Sequence, residues 1–249
     1  KYSDHRIIVV RNNENKGNAA ARNLGVLHSK GEYICFLDSD DAFHENFLES
    51  MDSIVRQHKC PGFMWCNVNR IDEEGNIKPN FYPSNWRPLE AENPYVYFLR
   101  GIYFGTDFGL TVRRDCFDKI RFDESLRVAV DTDFILRIVQ KYNFAYTSDR
   151  LINTLNHRGS RVRTDTSRKA MSYAQIIKKH PIIQTDKSLN IKWNYKLMWL
   201  RYHSSLKNDA RINLLNLLKL GAYKRVLIGF LFELLPTQFA ISLHKKLSK

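Results

Sequence analysis

Three acidic residues within four positions form the segment with the clearest potential for chemistry. Asp38, Ser39, Asp40 and Asp41 directly follow the apolar run at residues 33–37. In an open α/β sheet, ligands bind beyond the carboxyl ends of the strands. Two carboxylates one residue apart suit a hard divalent cation and the phosphate groups that share it. The alternative is a solvated acidic turn in which Asp40 or Asp41 caps the next helix.

A second candidate segment precedes this apolar run. Gly17 stands just before a helix predicted over residues 18–28, where its backbone freedom permits close approach of another group. Arg22 lies on that helix, and its guanidinium suits an anionic ligand. The alternative interpretation is an ordinary alanine-rich helix with a surface arginine.

Alternating apolar runs and amphipathic stretches must position these residues. Their order, strand then helix repeatedly, predicts an α/β sheet with helices on its faces. A later amphipathic stretch predicts one more helix, followed by one or two short strands. We predict strands over residues 7–10, 33–37 and 62–68, a turn at residues 72–76, helices over residues 18–28, 44–58 and 131–142, and strand structure within residues 145–156.

The pattern changes to helices alone near residue 164, and the charge changes with it. Residues 1–157 carry 20 Lys and Arg against 22 Asp and Glu, whereas residues 158–249 carry 19 against 4. A nearly neutral body followed by a basic, amphipathic helical region predicts an anionic partner for that region. The alternative is that these helices pack on the body or on a second subunit with solvated charges.

Composition narrows the class of protein. The chain has 249 residues, of which 43% are hydrophobic, enough to bury a sizeable core. None of its four cysteines forms a CxxC pair, so we expect free thiols in a reducing compartment and no zinc site. No signal peptide is evident at the N-terminus. No apolar run approaches the roughly 20 residues that a membrane span requires.

Taken together, the first two segments resemble family 2 glycosyltransferases with the GT-A fold. Residues 15–25 read NKGNAAARNLG and residues 31–41 read GEYICFLDSDD. They are similar in order, gap and flanking apolar residues to the family stretch GxxxARNxG…GEYIxFLDSDD. The resemblance covers about residues 6–163. It implies an α/β domain over residues 1–163 with a mostly parallel nucleotide-binding sheet flanked by helices, followed by an all-helical extension over residues 164–249.

A third segment extends the resemblance to a candidate catalytic base. Residues 122–137 are similar to the family element FDExL…EDxDFxLR, and the family's catalytic Asp falls on Asp131. Val130 replaces the preceding Glu, a departure from the family pattern. Asp133 is the other candidate base. His157 lies in a stretch similar to a late H-x-GS segment of the family, where it would help to hold a metal or the diphosphate.

The resemblance implies inverting transfer of a sugar from a nucleotide-diphosphate donor to an acceptor hydroxyl, with Mn²⁺ or Mg²⁺. The implied acceptor is a lipid-linked glycan in bacterial surface-polysaccharide synthesis. We expect a cytoplasmic protein, peripheral on the inner face of the cell membrane, and an acceptor pocket near residues 105–109. The implied roles are donor binding by Gly17, Arg22, Asp38, Ser39 and Asp40, metal binding by Asp40 and His157, and catalysis by Asp131.

Other functions remain open at this point. A nucleotidyltransferase also uses paired carboxylates and a metal, but it releases pyrophosphate. The sequence pI of about 9.6 also suits a non-catalytic protein that binds nucleic acid or another anionic ligand, although no nucleic-acid recognition motif is present.

Family members open with further strands and an Asp-Asp-Gly-Ser-like segment, so we expect this chain to lack the first strands of the fold.

Overall fold

A computed structural model describes residues 4–79, 86–102, 104–155 and 165–234. The chain divides into two compact units, Lys1–Gly159 and Ser160–Lys249. The first unit is an α/β structure, and all the described elements of the second are helices. The α/β class with a helical C-terminal region is therefore confirmed. The predicted boundary between residues 163 and 164 lies outside the described residues and stays a prediction.

The first unit is built on a six-stranded sheet in which five strands follow the order β1-β5-β3-β6-β2 and the sixth, β4, pairs with one end of β3. The strands β3 and β6 are parallel, and the other described pairings are antiparallel. The strands are β1 (Tyr33–Cys35), β2 (Asp41–Phe43), β3 (Phe63–Ile71), β4 (Ile77–Pro79), β5 (Thr111–Arg113) and β6 (Phe144–Leu155).

The prediction of a mostly parallel sheet is wrong. The described parallel pair, β3 and β6, is joined by a long connection that contains helices, as the crossover of a parallel pairing requires. The strand β5, which the sequence pattern did not predict, lies between β1 and β3 and runs antiparallel to both. Of the strands that follow one another in sequence, β3 and β4 are paired, whereas β1 and β2 are not.

The strand predicted at residues 7–10 is absent as well. This segment has no regular secondary structure in the described chain, and Ile7, Ile8 and Val9 are more than half exposed. A strand needs a neighbour to satisfy its backbone N–H and C=O groups, and none of the six described strands pairs with this segment.

In the part of the first unit that the structure describes, four α-helices flank the sheet, and two of them carry candidate site residues. The predicted helix over residues 18–28 is confirmed, and its buried alanines, Ala19 and Ala20, allow close packing. The helix predicted from residue 131 begins at Val130, after Ala129 in the left-handed conformation (φ 57°), and ends at Ile138. The helices are α1 (Asn18–His28), α2 (Phe47–Gln57), α3 (Pro94–Arg100) and α4 (Val130–Ile138).

The second unit packs its helices around a small core of its own. Aspartates cap two of these helices: Asp165 accepts a hydrogen bond from the backbone N–H of Arg168, and Asp186 accepts one from that of Leu189. The core residues are Met198, Trp199, Tyr202, Ala210, Leu214, Leu217 and Val226. The helices are α5 (Thr166–Lys179), α6 (Ile182–Thr185), α7 (Lys187–His203), α8 (Lys207–Lys219) and α9 (Tyr223–Leu234).

No helix in the described ranges has both the length and the apolar character needed to cross a membrane. All four cysteines are free thiols.

Candidate active site

The acidic segment forms the turn that joins β1 to β2. The backbone N–H of Asp41 donates to the carbonyl of Asp38 at 3.1 Å, and Asp41 then pairs with Thr154 of β6. Ser39 and Asp40 lie at the tip of this turn with exposed side chains. The turn therefore presents several carboxylates beyond the end of β1, as the sequence predicted.

The electrostatics of this turn show an excess of negative charge. Burial, and after it the charges of Asp40, Asp38 and Asp107, together raise the pKa of Asp41 to about 6. An acid keeps its proton to a higher pH when its neighbours are also anionic. These carboxylates therefore lie close enough together to favour a bound proton or a cation.

Arg22 connects this turn to a second loop. Its guanidinium Nη2 donates to the hydroxyl of Thr106 at 2.7 Å and to a carboxylate oxygen of Asp38 at 3.4 Å. The guanidinium also lies over the ring of Phe122, 5.7 Å from its centroid. Only 15% of the Arg22 side chain is exposed. One arginine on α1 thus fixes the positions of two loops.

The second loop, residues 105–109, is held from several sides. The backbone N–H of Phe108 donates to the carbonyl of Gly105, and the thiol of Cys66 contacts the Phe108 carbonyl at 3.5 Å. Gly109 adopts a left-handed conformation (φ 61°), and a methyl group there would press on Ile152 of the sheet and on Phe47 of α2. The loop is therefore held by close contacts with both the sheet and α2.

This loop brings Asp131 into the site. A methyl group on Gly105 would collide with the Oδ2 atom of Asp131 and would lie 3.0 Å from an oxygen of Asp107. Asp131 is half-buried in the first turn of α4, where the helix dipole favours a carboxylate. Asp38 and Asp131, which are 93 positions apart in the sequence, thus flank one loop.

Asp133 occupies a different environment. Its side chain is fully buried, and its carboxylate pairs with Arg137, one turn later on α4, at 2.7 Å. A second hydrogen bond joins the Arg137 Nε to the same carboxylate oxygen at 2.8 Å. Asp133 therefore has a structural partner inside the protein, whereas Asp131 faces the Gly105 loop. This contrast favours Asp131 of the two candidate bases.

Gly17 lies at the start of α1, with φ 90°. A side chain at this position would approach Arg127, whose guanidinium donates to the carbonyl of Lys16 at 2.9 Å. No described contact joins Gly17 to the acidic turn, so its donor-binding role stays a prediction. His157 lies outside the described residues, and its metal-binding role also stays a prediction.

The residues present fit a divalent cation by chemistry, although not by an assembled set of ligands. Asp38 and Asp40 supply the carboxylate oxygens that Mg²⁺ and Mn²⁺ favour, and the charges of Asp38 and Asp40 contribute, after burial, to the raised pKa of Asp41. Within the described residues, no three His, Cys, Asp or Glu side chains are arranged to hold a metal ion.

Sequence reasoning missed two members of the site. It placed residues 105–109 near an acceptor pocket but gave no role to Asp107, and it did not single out Arg70. The guanidinium of Arg70 lies 3.6 Å from a carboxylate oxygen of Asp107 and 5.7 Å from the ring centroid of Phe108. The sequence signal that could have identified Arg70 was its position as a charged residue at the end of an apolar strand, next to the predicted turn.

This α/β unit combines an acidic turn, the loop at residues 105–109 and a half-buried carboxylate. Residues 1–121 match the model of Glycosyl transferase family 2. The resemblance to that family that the motifs indicated is therefore confirmed over this region.

Several glycosyltransferases are similar to this chain. It is 28% identical over 232 residues to the putative colanic acid biosynthesis glycosyl transferase WcaA of Escherichia coli, covering 91% of this chain and 78% of that protein. It is 24% identical to the amylovoran biosynthesis glycosyltransferase AmsB of Erwinia amylovora, covering 79% of this chain and 68% of that protein.

Coverage is lower for another relative. An uncharacterized glycosyltransferase of Methanocaldococcus jannaschii is 29% identical over 153 residues, and the match spans 61% of this chain and 51% of that protein. The chain therefore spans about half the length of this relative. Among solved structures, residues 1–349 of S. aureus TarS superpose with a TM-score of 0.47 and 13% identity, covering 86% of this chain and 69% of that one.

Proposed function

We propose that this protein transfers a sugar from a nucleotide-diphosphate donor to the hydroxyl of a glycan acceptor in bacterial surface-polysaccharide synthesis. The observation that carries the proposal is that Arg22 joins Asp38 to the Gly105 loop, and that Asp131 lies against the same loop. The match of residues 1–121 to the family 2 model supports the reaction class. The names of two relatives, which refer to colanic acid and amylovoran biosynthesis, support the pathway type.

Asp131 would act as the general base. A half-buried carboxylate that faces a loop near the acidic turn is placed to accept the proton of an attacking hydroxyl. Direct attack by that hydroxyl on the anomeric carbon, from the side opposite the leaving diphosphate, inverts the configuration. Because Asp133 is occupied by Arg137, it does not compete for this role.

The turn at Asp38, Ser39 and Asp40 would bind the donor, with Gly17 and Arg22 on the side of α1. Arg22 already bonds Asp38 and Thr106, so its contribution is to hold the carboxylate in place and to balance its charge. Asp40, with His157, would hold Mn²⁺ or Mg²⁺. When bound, such an ion stabilises negative charge on a leaving diphosphate.

The proposed acceptor is carried by a lipid at an anionic membrane surface on the cytoplasmic side, to which the C-terminal helices bind. The uneven charge of the chain supports this location, since 19 of its 39 Lys and Arg lie in residues 158–249. Each cation close to an anionic leaflet contributes about 1 kcal/mol to membrane binding.

The first test is calorimetric binding of UDP, GDP, dTDP and CMP, each with and without Mn²⁺. We expect metal-dependent binding of one nucleotide and its loss in Asp40→Ala. Asp118→Ala is the matched control, because Asp118 is an exposed aspartate outside the acidic turn, and it should bind normally.

Product analysis separates the candidate reactions. With the matching nucleotide sugar and a panel of methyl glycosides, release of the nucleoside diphosphate together with a new glycoside supports the proposal. Release of pyrophosphate would indicate a nucleotidyltransferase instead. A folded protein that binds no nucleotide would contradict the proposed donor site.

A further inference from the structure

The last described helix, α9, is apolar on two sides, and only one of them is buried. Val226 and Gly229 face the core of the helical unit, where a methyl group on Gly229 would collide with Leu214. The other apolar side is between 50% and 80% exposed and consists of Tyr223, Leu227, Phe230 and Leu234. Spacings of four, three and four residues place these side chains along one line, about 16 Å long.

The neighbouring helix α8 carries two further exposed apolar side chains. The guanidinium of Arg211 on α8 pairs with Glu233 on α9 at 2.8 Å, which holds the two helices together. Leu215 and Leu218 are exposed by 58% and 43%, and their spacing of three residues places them on one side of α8. We name these exposed side chains together the α8–α9 apolar stripe, formed by Leu215, Leu218, Tyr223, Leu227, Phe230 and Leu234.

Positive charge surrounds the stripe. Lys207 lies at the start of α8, and Lys219 and Lys224 lie on either side of the turn that joins the two helices; all three are exposed. The two helices carry five Lys and Arg against two Asp and Glu. One of these acids, Glu233, is compensated by Arg211. The surface therefore combines exposed apolar side chains with a net positive rim.

We infer that the α8–α9 apolar stripe docks on an anionic phospholipid surface. Its leucines and Phe230 enter the boundary between headgroups and acyl chains, and the surrounding lysines contact the lipid phosphates. This is the arrangement of an interfacial amphipathic helix, in which apolar burial and attraction to anionic lipid act together. The inference rests on the proposed function in one respect: a membrane-borne acceptor would be the reason for this protein to bind a membrane.

The charge of the rim favours lipid over a second copy of this chain. Two stripes that face each other would bring their lysines together, and like charges across an interface oppose association. An anionic bilayer complements both the apolar and the cationic part of the surface. It also presents a plane long enough for the whole stripe.

The experiment is flotation of the full chain with vesicles of phosphatidylcholine alone and with vesicles of phosphatidylcholine and phosphatidylglycerol in equal parts. We expect binding to the mixed vesicles that weakens as salt screens the lysines, and little binding to phosphatidylcholine. Phe230→Glu should reduce binding about tenfold or more, because a carboxylate replaces an apolar group at the lipid boundary.

Met171→Glu is the matched control. Met171 is an exposed apolar residue of the same helical unit, on α5 and outside the stripe, and the substitution adds the same charge. Its binding should stay within about twofold of the wild type. If Phe230→Glu fails to fold by circular dichroism, Leu227→Gln measures the same surface without adding a charge.

Three results would overturn the inference. These are no binding of the wild type to mixed vesicles, equal binding by the wild type and the stripe variants, or an equal loss in Met171→Glu. A stripe variant that converts a sedimenting dimer to a monomer, with no vesicle binding by either form, would assign the stripe to self-association instead. Nucleotide binding is measured separately, so failure of the donor site leaves this result unaffected.

Discussion

The carboxylates of Asp131 and Asp107 lie against the same backbone atom, the Cα of Gly105, one from α4 and the other from the loop itself. A side chain at position 105 would collide with Asp131 and would press on Asp107. Arg70 balances the charge of Asp107 at 3.6 Å. Asp131 therefore lies beside a carboxylate that already has a cationic neighbour.

This arrangement predicts the effect of Gly105→Ala. The backbone at Gly105 has φ −153°, which any residue adopts, so the effect is steric alone. The added methyl group displaces Asp131, and a shift of about 1 Å in a catalytic group costs about 10²-fold in rate. We expect that loss in kcat for glycosyl transfer. Gly25→Ala is the control, since a methyl group there meets nothing within 4 Å; an equal loss in both variants would contradict the explanation.

Asp131→Asn should lower the catalytic rate, whereas Asp133→Asn should lower the stability of the fold. Asp131→Asn removes the base and should lower kcat about 10²–10⁴-fold while the melting temperature stays close to that of the wild type. Asp133→Asn leaves Arg137 without its buried carboxylate and should lower the free energy of unfolding by about 1–3 kcal/mol. Steady-state kinetics and chemical denaturation of both variants make the comparison. Near-normal transfer by Asp131→Asn would remove this residue from the mechanism.

Arg22 and Thr106 should be energetically coupled. A double-mutant cycle with Arg22→Lys and Thr106→Val should give a coupling of about 1 kcal/mol in the free energy of unfolding, because the single substitutions remove the same hydrogen bond. The control cycle pairs Thr106→Val with Arg56→Lys, on the exposed side chain that pairs with Asp52 in α2. That cycle should show additive effects. Additivity in the first cycle would mean that the bond contributes nothing.

The helical unit should lose stability in acid through Glu233. Hydrogen bonds from Arg211 and Tyr202 lower the pKa of Glu233 below its usual 4.5, although burial opposes them. Because the folded pKa is the lower one, this contribution to stability is complete above about pH 4.5 and disappears as the pH falls through the folded pKa.

Glu233→Gln tests this directly. It should destabilise the helices by about 1 kcal/mol at pH 7, and the difference from the wild type should shrink below pH 4.5. Hydrogen exchange of α8 and α9 at several pH values measures the effect. A difference that stays constant from pH 7 to pH 3 would show that the carboxylate charge plays no part.

The sequence by itself determined the resemblance to family 2 glycosyltransferases, the α/β class, the helix at Asn18–His28 and the turn of acids that follows β1. These features are local: a run of apolar residues, a glycine before a helix or a row of carboxylates acts through neighbours in the chain. Asp131 was identified by its motif, and its distinction from Asp133 rested on that resemblance alone.

Only the tertiary structure decided which strands are neighbours, which carboxylate is paired and which apolar residues of α8 and α9 are exposed. The strand order and the exposure of these apolar residues depend on contacts between residues far apart in the chain, whereas Asp133 pairs with Arg137 one turn later on α4. β5 lies between β1 and β3 because of such contacts, Arg70 meets Asp107, and Leu217 is buried while Leu218 is exposed. Apolar spacing alone predicts the same burial for neighbouring leucines. Packing against a particular partner decides which of them is buried.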